Sequence, residues 1–105
     1  MGLFDFFRAP DITDMANGAK ESGAHLVDVR TPEEYAQGHI NGSINVPLDT
    51  LPGGAAILGK NEKIYVYCRS GARSGRAAAI LGRSGYTDVT NIGGIMDYRG
   101  RITAE

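Results

Sequence analysis

The sequence predicts an α/β fold assembled from parallel βα units. Three observations carry that prediction: four short β-rich runs, helical stretches between them, and capping residues at the ends of two of those stretches. At 105 residues the chain can bury one core but not two. Its 42% hydrophobic and 22% charged residues are those of an ordinary globular protein. A tail over residues 1–10 followed by one domain over 11–105 is the expected organisation.

Residues 11–22 read as a helix, preceded by a very short strand around Ile12. "HLVDV" (25–29) is the first buried strand. In "TPEE", Thr31 is the N-cap, Pro32 the first helical residue and Glu34 the third partner of a capping box, with Gly38 as the stop. "SINV" (43–46) is a second strand, and 47–60 is a turn-rich connector with one helical turn. "KIYVY" (63–67) and "DVTNI" (88–92) complete the strands. Between those two, an alanine-rich helix runs from about Ser74 to Arg83, with Gly85 free to adopt a left-handed cap.

The only cysteine, Cys68, follows the third strand and opens a loop of Arg69, Ser70, Gly71, Ala72, Arg73 and Ser74. In open α/β sheets ligands sit beyond the carboxyl ends of strands. A small-residue loop there can turn its amide N–H groups inward as an anion nest, and the next helix adds the positive end of its dipole. Arg69 and Arg73 add formal charge. Each of these favours thiolate, the nucleophilic form. A core cysteine would have no use for a glycine-arginine turn at its own position. Charge is split to match: residues 1–63 hold five basic and nine acidic groups, a net of −4, whereas 64–105 hold six arginines and three acids, a net of +3.

At these residues the chain resembles the rhodanese family, the thiosulfate sulfurtransferases, in its small single-domain form. "LVDVRTPEEYAQGHINGSINVPL" (26–48), "VYCRSGARSGRAA" (66–78) and "GYTDVTNIGGIMDYRG" (85–100) are similar to that family's three signatures, in order. The resemblance implies a rhodanese-like, mostly parallel sheet of four to five strands with helices on both faces. It implies that Cys68 accepts a sulfane sulfur from thiosulfate or a related persulfide donor and passes it to cyanide or a thiol, by a ping-pong mechanism. Arg69 to Ser74 would then bind substrate, with the loop amides holding the persulfide charge and Arg73 the anionic end of the donor. Family members acting on mercaptopyruvate have a neutral loop, unlike this one. Where the family has Trp after the Gly-Gly pair, this chain has Tyr98, expected to pack on the sheet.

Other residues carry plainer expectations. Asp28 and Arg30 are read as a bracing ion pair under the loop, His39 as structural, and His25 as unpartnered. Arg76 and Arg83 are placed on the exposed face of the helix after the loop. One cysteine and two scattered histidines support neither a metal site nor a disulfide, and no cofactor is expected. The mild charge speaks against nucleic acid as a partner. "MGLFDFFRAP" lacks a basic n-region and a long apolar stretch, so a cytoplasmic monomer without membrane contact is expected, acting on a small anionic donor and a thiophilic acceptor that extends to protein thiols. Phe4, Phe6 and Phe7 form a tail, a lid or a protein contact. Two alternatives stand beside the sulfurtransferase. One is a sulfur carrier or binding module for a protein partner. The other is a cysteine phosphatase or arsenate reductase, disfavoured because those enzymes place arginine six positions after the cysteine, where this chain has Ser74.

Overall fold

The computed structural model describes residues 11–105, so the expectations for Phe4, Phe6 and Phe7 lie outside the described residues. Helix α1 (Ile12–Ser22) starts at Asp11, whose carboxylate accepts the Thr13 amide at 2.8 Å, and stops at Gly23 with φ 75°. Ile12 is therefore the first helical residue and buried, not part of a short strand. The Asp11 cap explains the difference, since it draws the chain straight into the helix.

Strand β1 (His25–Asp28) leads to helix α2 (Pro32–Gln37), where both bonds of the Thr31/Glu34 capping box are made. β2 (His39–Ile40) and β3 (Ile44–Asn45) follow. The connector holds two 3₁₀ turns, Leu48–Thr50 and Gly53–Ala55, rather than one helical turn. Pro47 and Pro52 open the two turns, and a proline ring cannot continue a helix already begun. Then come β4 (Ile64–Cys68), α3 (Ala72–Arg83), β5 (Val89–Gly94), a 3₁₀ turn over Ile95–Asp97 and β6 (Ile102–Thr103).

The main sheet has the order β3-β1-β4-β5 and is parallel throughout. β2 and β6 pair separately and antiparallel, a small second sheet that the sequence pattern does not announce. β4 lies inside the main sheet, and its residues alternate between two cores. Ile64, Val66 and Cys68 face the cluster that includes Val29, Ala77 and Leu81, covered by α3. Tyr67 faces the cluster that includes Ile12, Ala19 and Ile92, covered by α1. Helices thus cover both faces, as expected. Ile64 and Val66 have no exposed surface, and each burial contributes about 1.5–3 kcal/mol.

The pairing of β4 with β5 shifts register between Val66 and Tyr67: Val66 opposes Asn91, whereas Tyr67 opposes Gly93. The extra residue, Ile92, makes a bulge, and Gly93 beside it takes φ 110°. The bulge brings Gly94 opposite Cys68. A Cβ on Gly94 would stand 2.6 Å from the Ser70 Cα, so only glycine lets the loop after Cys68 fold across β5.

Candidate active site

Cys68 ends β4, and the chain reaches α3 through three residues. Gly71, at φ 103°, is the N-cap, so the helix begins at Ala72 and not at Ser74. The left-handed glycine explains the early start, because it turns the chain into helix geometry within one residue. An N-cap glycine has no side chain to satisfy the first amides of α3. The sulfur takes that role. Cys68 Sγ accepts the Gly71 amide at 3.0 Å and lies 3.4 Å from the Ser74 hydroxyl. The thiol is a ligand of the helix N-terminus, where the dipole favours negative charge.

Burial pushes the Cys68 thiol up, since only 1% of the residue is exposed. Hydrogen bonds from the Ser74 hydroxyl and from the Ser74, Gly71 and Ser70 amides outweigh burial and leave it below its ordinary value. The hydroxyl has one proton to give, and its nearest acceptor is Asn91 Oδ1 at 2.7 Å. The amides are therefore the fixed donors, and the hydroxyl can turn to the sulfur once it ionises. The iodoacetamide alkylation rate should rise through a midpoint below the ordinary cysteine value of about 8.5. In Ser74→Ala the midpoint should move upward. A midpoint above 8.5 in the wild type would show that burial wins.

Asn91 escapes sequence reading because it looks like one more polar residue in a strand. Its Oδ1 accepts from Ser74 and, at 3.0 Å, from the Gly93 amide, while its Nδ2 donates to the Gly71 carbonyl at 3.0 Å. One side chain thus ties the bulge, the N-cap and the Ser74 hydroxyl together. The available signal is its place two residues before Gly93.

The two loop arginines differ. Arg69 is exposed, as is Ser70, while the Arg69 carbonyl accepts the Met96 amide at 3.2 Å. Arg73 is claimed by Glu34: Nη1 to Oε1 is 2.7 Å and Nη2 to Oε2 is 3.0 Å. This bidentate bond, with the Thr31 cap bonds, holds the Glu34 carboxyl at about 2, ionised at any ordinary pH. Helix α2 is thereby bolted to the loop. Ala72 is exposed at the first turn of α3, and Ser74 is fully buried beside the sulfur.

Beneath the loop, Asp28 and Arg30 form the expected brace. Arg30 Nη2 reaches Asp28 Oδ2 at 2.7 Å and the Gly38 carbonyl at 2.7 Å, and the Arg30 amide also donates to Asp28. His39 is structural too, buried and stacked on Tyr35 with ring centroids 3.6 Å apart. His25, read as unpartnered, meets Glu62 at 3.1 Å. Arg76 and Arg83 are exposed, and Tyr98 packs on the core under α1. Among the described residues no cluster of three or more His, Cys, Asp or Glu is placed to hold a metal ion. Nor is any described helix long and apolar enough to cross a membrane.

The arrangement can hold a sulfur anion in a ring of amides, recessed at a strand end. The chain is similar to known proteins. The chain is 45% identical to "Thiosulfate sulfurtransferase PspE" of Escherichia coli over 70% of its length and 72% of that protein's. It is 35% identical to "Putative sulfur carrier protein YrkF" of Bacillus subtilis over 77% of its own length and 44% of that longer chain. A solved structure described as "rhodanese with anions from E. coli" superposes with a TM-score of 0.68 at 40% identity, over 78% of this chain and 99% of the other. The rhodanese-like domain family matches residues 11–100, loop and brace included, and the chain belongs to that family.

Proposed function

We propose that the protein is a sulfurtransferase that carries sulfane sulfur on Cys68. The observation that carries this reading is the Gly71 amide 3.0 Å from a sulfur held at a helix N-terminus. In the first half-reaction the Cys68 thiolate attacks the outer sulfur of thiosulfate. A new S–S bond forms on Cys68, the S–S bond of thiosulfate breaks, and sulfite leaves with the electron pair. In the second, cyanide or a thiolate attacks the outer sulfur, and the electron pair returns to Cys68. Charge balances in both steps. The amides of Ser70, Gly71 and Ser74 serve the sulfur whichever anion it carries, so no donor has to move between half-reactions.

Arg69, exposed and without the tie that binds Arg73, draws the donor dianion to the loop. Arg73 uses two N–H groups on Glu34 and keeps others of its five for a sulfonate oxygen. Asp28 and Arg30 brace the strand end. A reducing cytoplasm suits a lone thiol that must stay free.

Incubation with thiosulfate followed by intact-mass measurement tests the reading. The expected result is a gain of about 32 Da, one sulfur atom, that disappears on adding cyanide as thiocyanate forms. An unchanged mass under conditions that leave the thiol alkylatable would end the proposal. The carrier reading keeps one specific support, the likeness to a protein named as a putative sulfur carrier, and it predicts the same adduct with slow release to cyanide and fast release to a protein thiol.

A further inference from the structure

A cavity of about 810 Å³ opens beside the Cys68 loop, lined in part by Ser70, Gly71, Asn91, Gly93 and Gly94. Asn91 is exposed there, yet both ends of its amide are committed to the loop and the bulge. The orientation of that amide is forced. The Gly71 carbonyl can only accept and the Gly93 amide can only donate, so Nδ2 faces the first at 3.0 Å and Oδ1 the second at 3.0 Å. Oδ1 is thereby also turned to the Ser74 hydroxyl, 2.7 Å away.

Ser74 has one hydroxyl proton and four acceptors about it. Asn91 Oδ1 lies at 2.7 Å, the Gly71 carbonyl at 3.1 Å, and Cys68 Sγ and the Gly93 carbonyl each at 3.4 Å. While the sulfur is a thiol, the amide oxygen at the shortest distance takes the proton. Ser74 Oγ then keeps a lone pair for the S–H. Once the sulfur is a thiolate, its charge draws the hydroxyl proton toward it. Oδ1 is not stranded by that turn, because the Gly93 amide still donates to it.

We infer that Asn91 is a positioning residue of the sulfur chemistry: it competes with Cys68 for the Ser74 hydroxyl proton and so sets how far that hydroxyl serves the thiolate. Asn91 touches neither the sulfur nor a substrate. The inference rests on the sulfurtransferase reading for its use, since the ionised sulfur is the form that attacks a donor. The charged groups about the loop are Arg73 with Glu34 and Arg30 with Asp28, each bound to the other. Asp11, Asp97 and Arg99 stand in the cavity lining. All seven are the same in every variant compared below.

The pH midpoint of Cys68 alkylation by iodoacetamide tests this, measured with and without Ser74→Ala in three backgrounds: wild type, Asn91→Ala and Asn91→Asp. The shift caused by Ser74→Ala reads the share of the hydroxyl that reaches the sulfur. Effects of Asn91 that bypass Ser74 cancel from it. Asn91→Ala removes the competitor, so the shift should be largest there. Asn91→Asp strengthens the competitor with a charged oxygen, so the shift should be smallest. Those two shifts are expected to differ by about 0.5 pH unit or more. Sulfur loading from thiosulfate near neutral pH should also fall in Asn91→Asp and recover as the pH rises. Shifts equal within about 0.2 unit in all backgrounds, or in the reverse order, overturn the inference and leave the sulfurtransferase reading standing. If Asn91→Asp does not fold, wild type against Asn91→Ala carries the same ranking. Alkylation needs no sulfur donor, so shifts in the expected order without a mass gain from thiosulfate would fell the sulfurtransferase reading alone.

Discussion

Cys68→Ser is expected to reduce sulfur transfer to the uncatalysed background, a loss of at least about a thousandfold, while the protein still folds. A neutral hydroxyl is a poor nucleophile toward sulfane sulfur, and the loop amides cannot ionise a group whose pKa lies so far above that of a thiol. Folding survives because serine is close in size and its oxygen can accept the Gly71 amide that now binds the sulfur at 3.0 Å. Thiocyanate production and intact mass are the readouts, with thermal melting as the control for folding. A variant that melts like the wild type and still produces thiocyanate would move the chemistry away from residue 68.

Asp28→Ala is expected to cost about 3–5 kcal/mol, the usual penalty for stranding one member of a buried ion pair. Asp28 has no exposed surface, and the Arg30 side chain is 8% exposed. Removing the carboxylate leaves the Arg30 Nε and one face of its guanidinium unanswered, with only the Gly38 carbonyl still bonded. For a domain of this size the melting temperature should fall by about 12–40 °C, as about 4–8 °C accompanies each kcal/mol. Asp28→Ala combined with Arg30→Met should recover more than half of the loss, since replacing both partners removes the stranded charge. A single variant melting within about 5 °C of wild type would show that water reaches the guanidinium and the brace is superficial.

Local signals were legible in the sequence and distant partnerships were not. The Thr31 cap, the Gly38 stop and the four main strands depend on neighbours within a few residues, and they stand where the pattern puts them. Cys68 and its loop were legible because strand, glycines and arginines occur consecutively. The local sequence marks Glu34 only as a capping partner, yet the same carboxylate bonds Arg73, 39 positions away. No local rule connects those two. The β2–β6 pair is two residues on each side, too short for any alternation to register. The start of α3 is not legible because a glycine N-cap leaves no side-chain signature, and Asn91 carries no local signal because its work begins only after the bulge turns β5 toward the loop.

The depth of Cys68 bears on what the protein can be exposed to without harm. A sulfur sunk in a residue of 1% exposure is shielded from bulky disulfides and from casual oxidants. An S–S bond is about 2 Å long, so in the proposed persulfide the reactive terminus stands that distance beyond the Cys68 sulfur. In the proposed cycle the empty protein would therefore be chemically shy and the loaded one forthcoming, with the cargo itself serving as the extension that makes delivery possible.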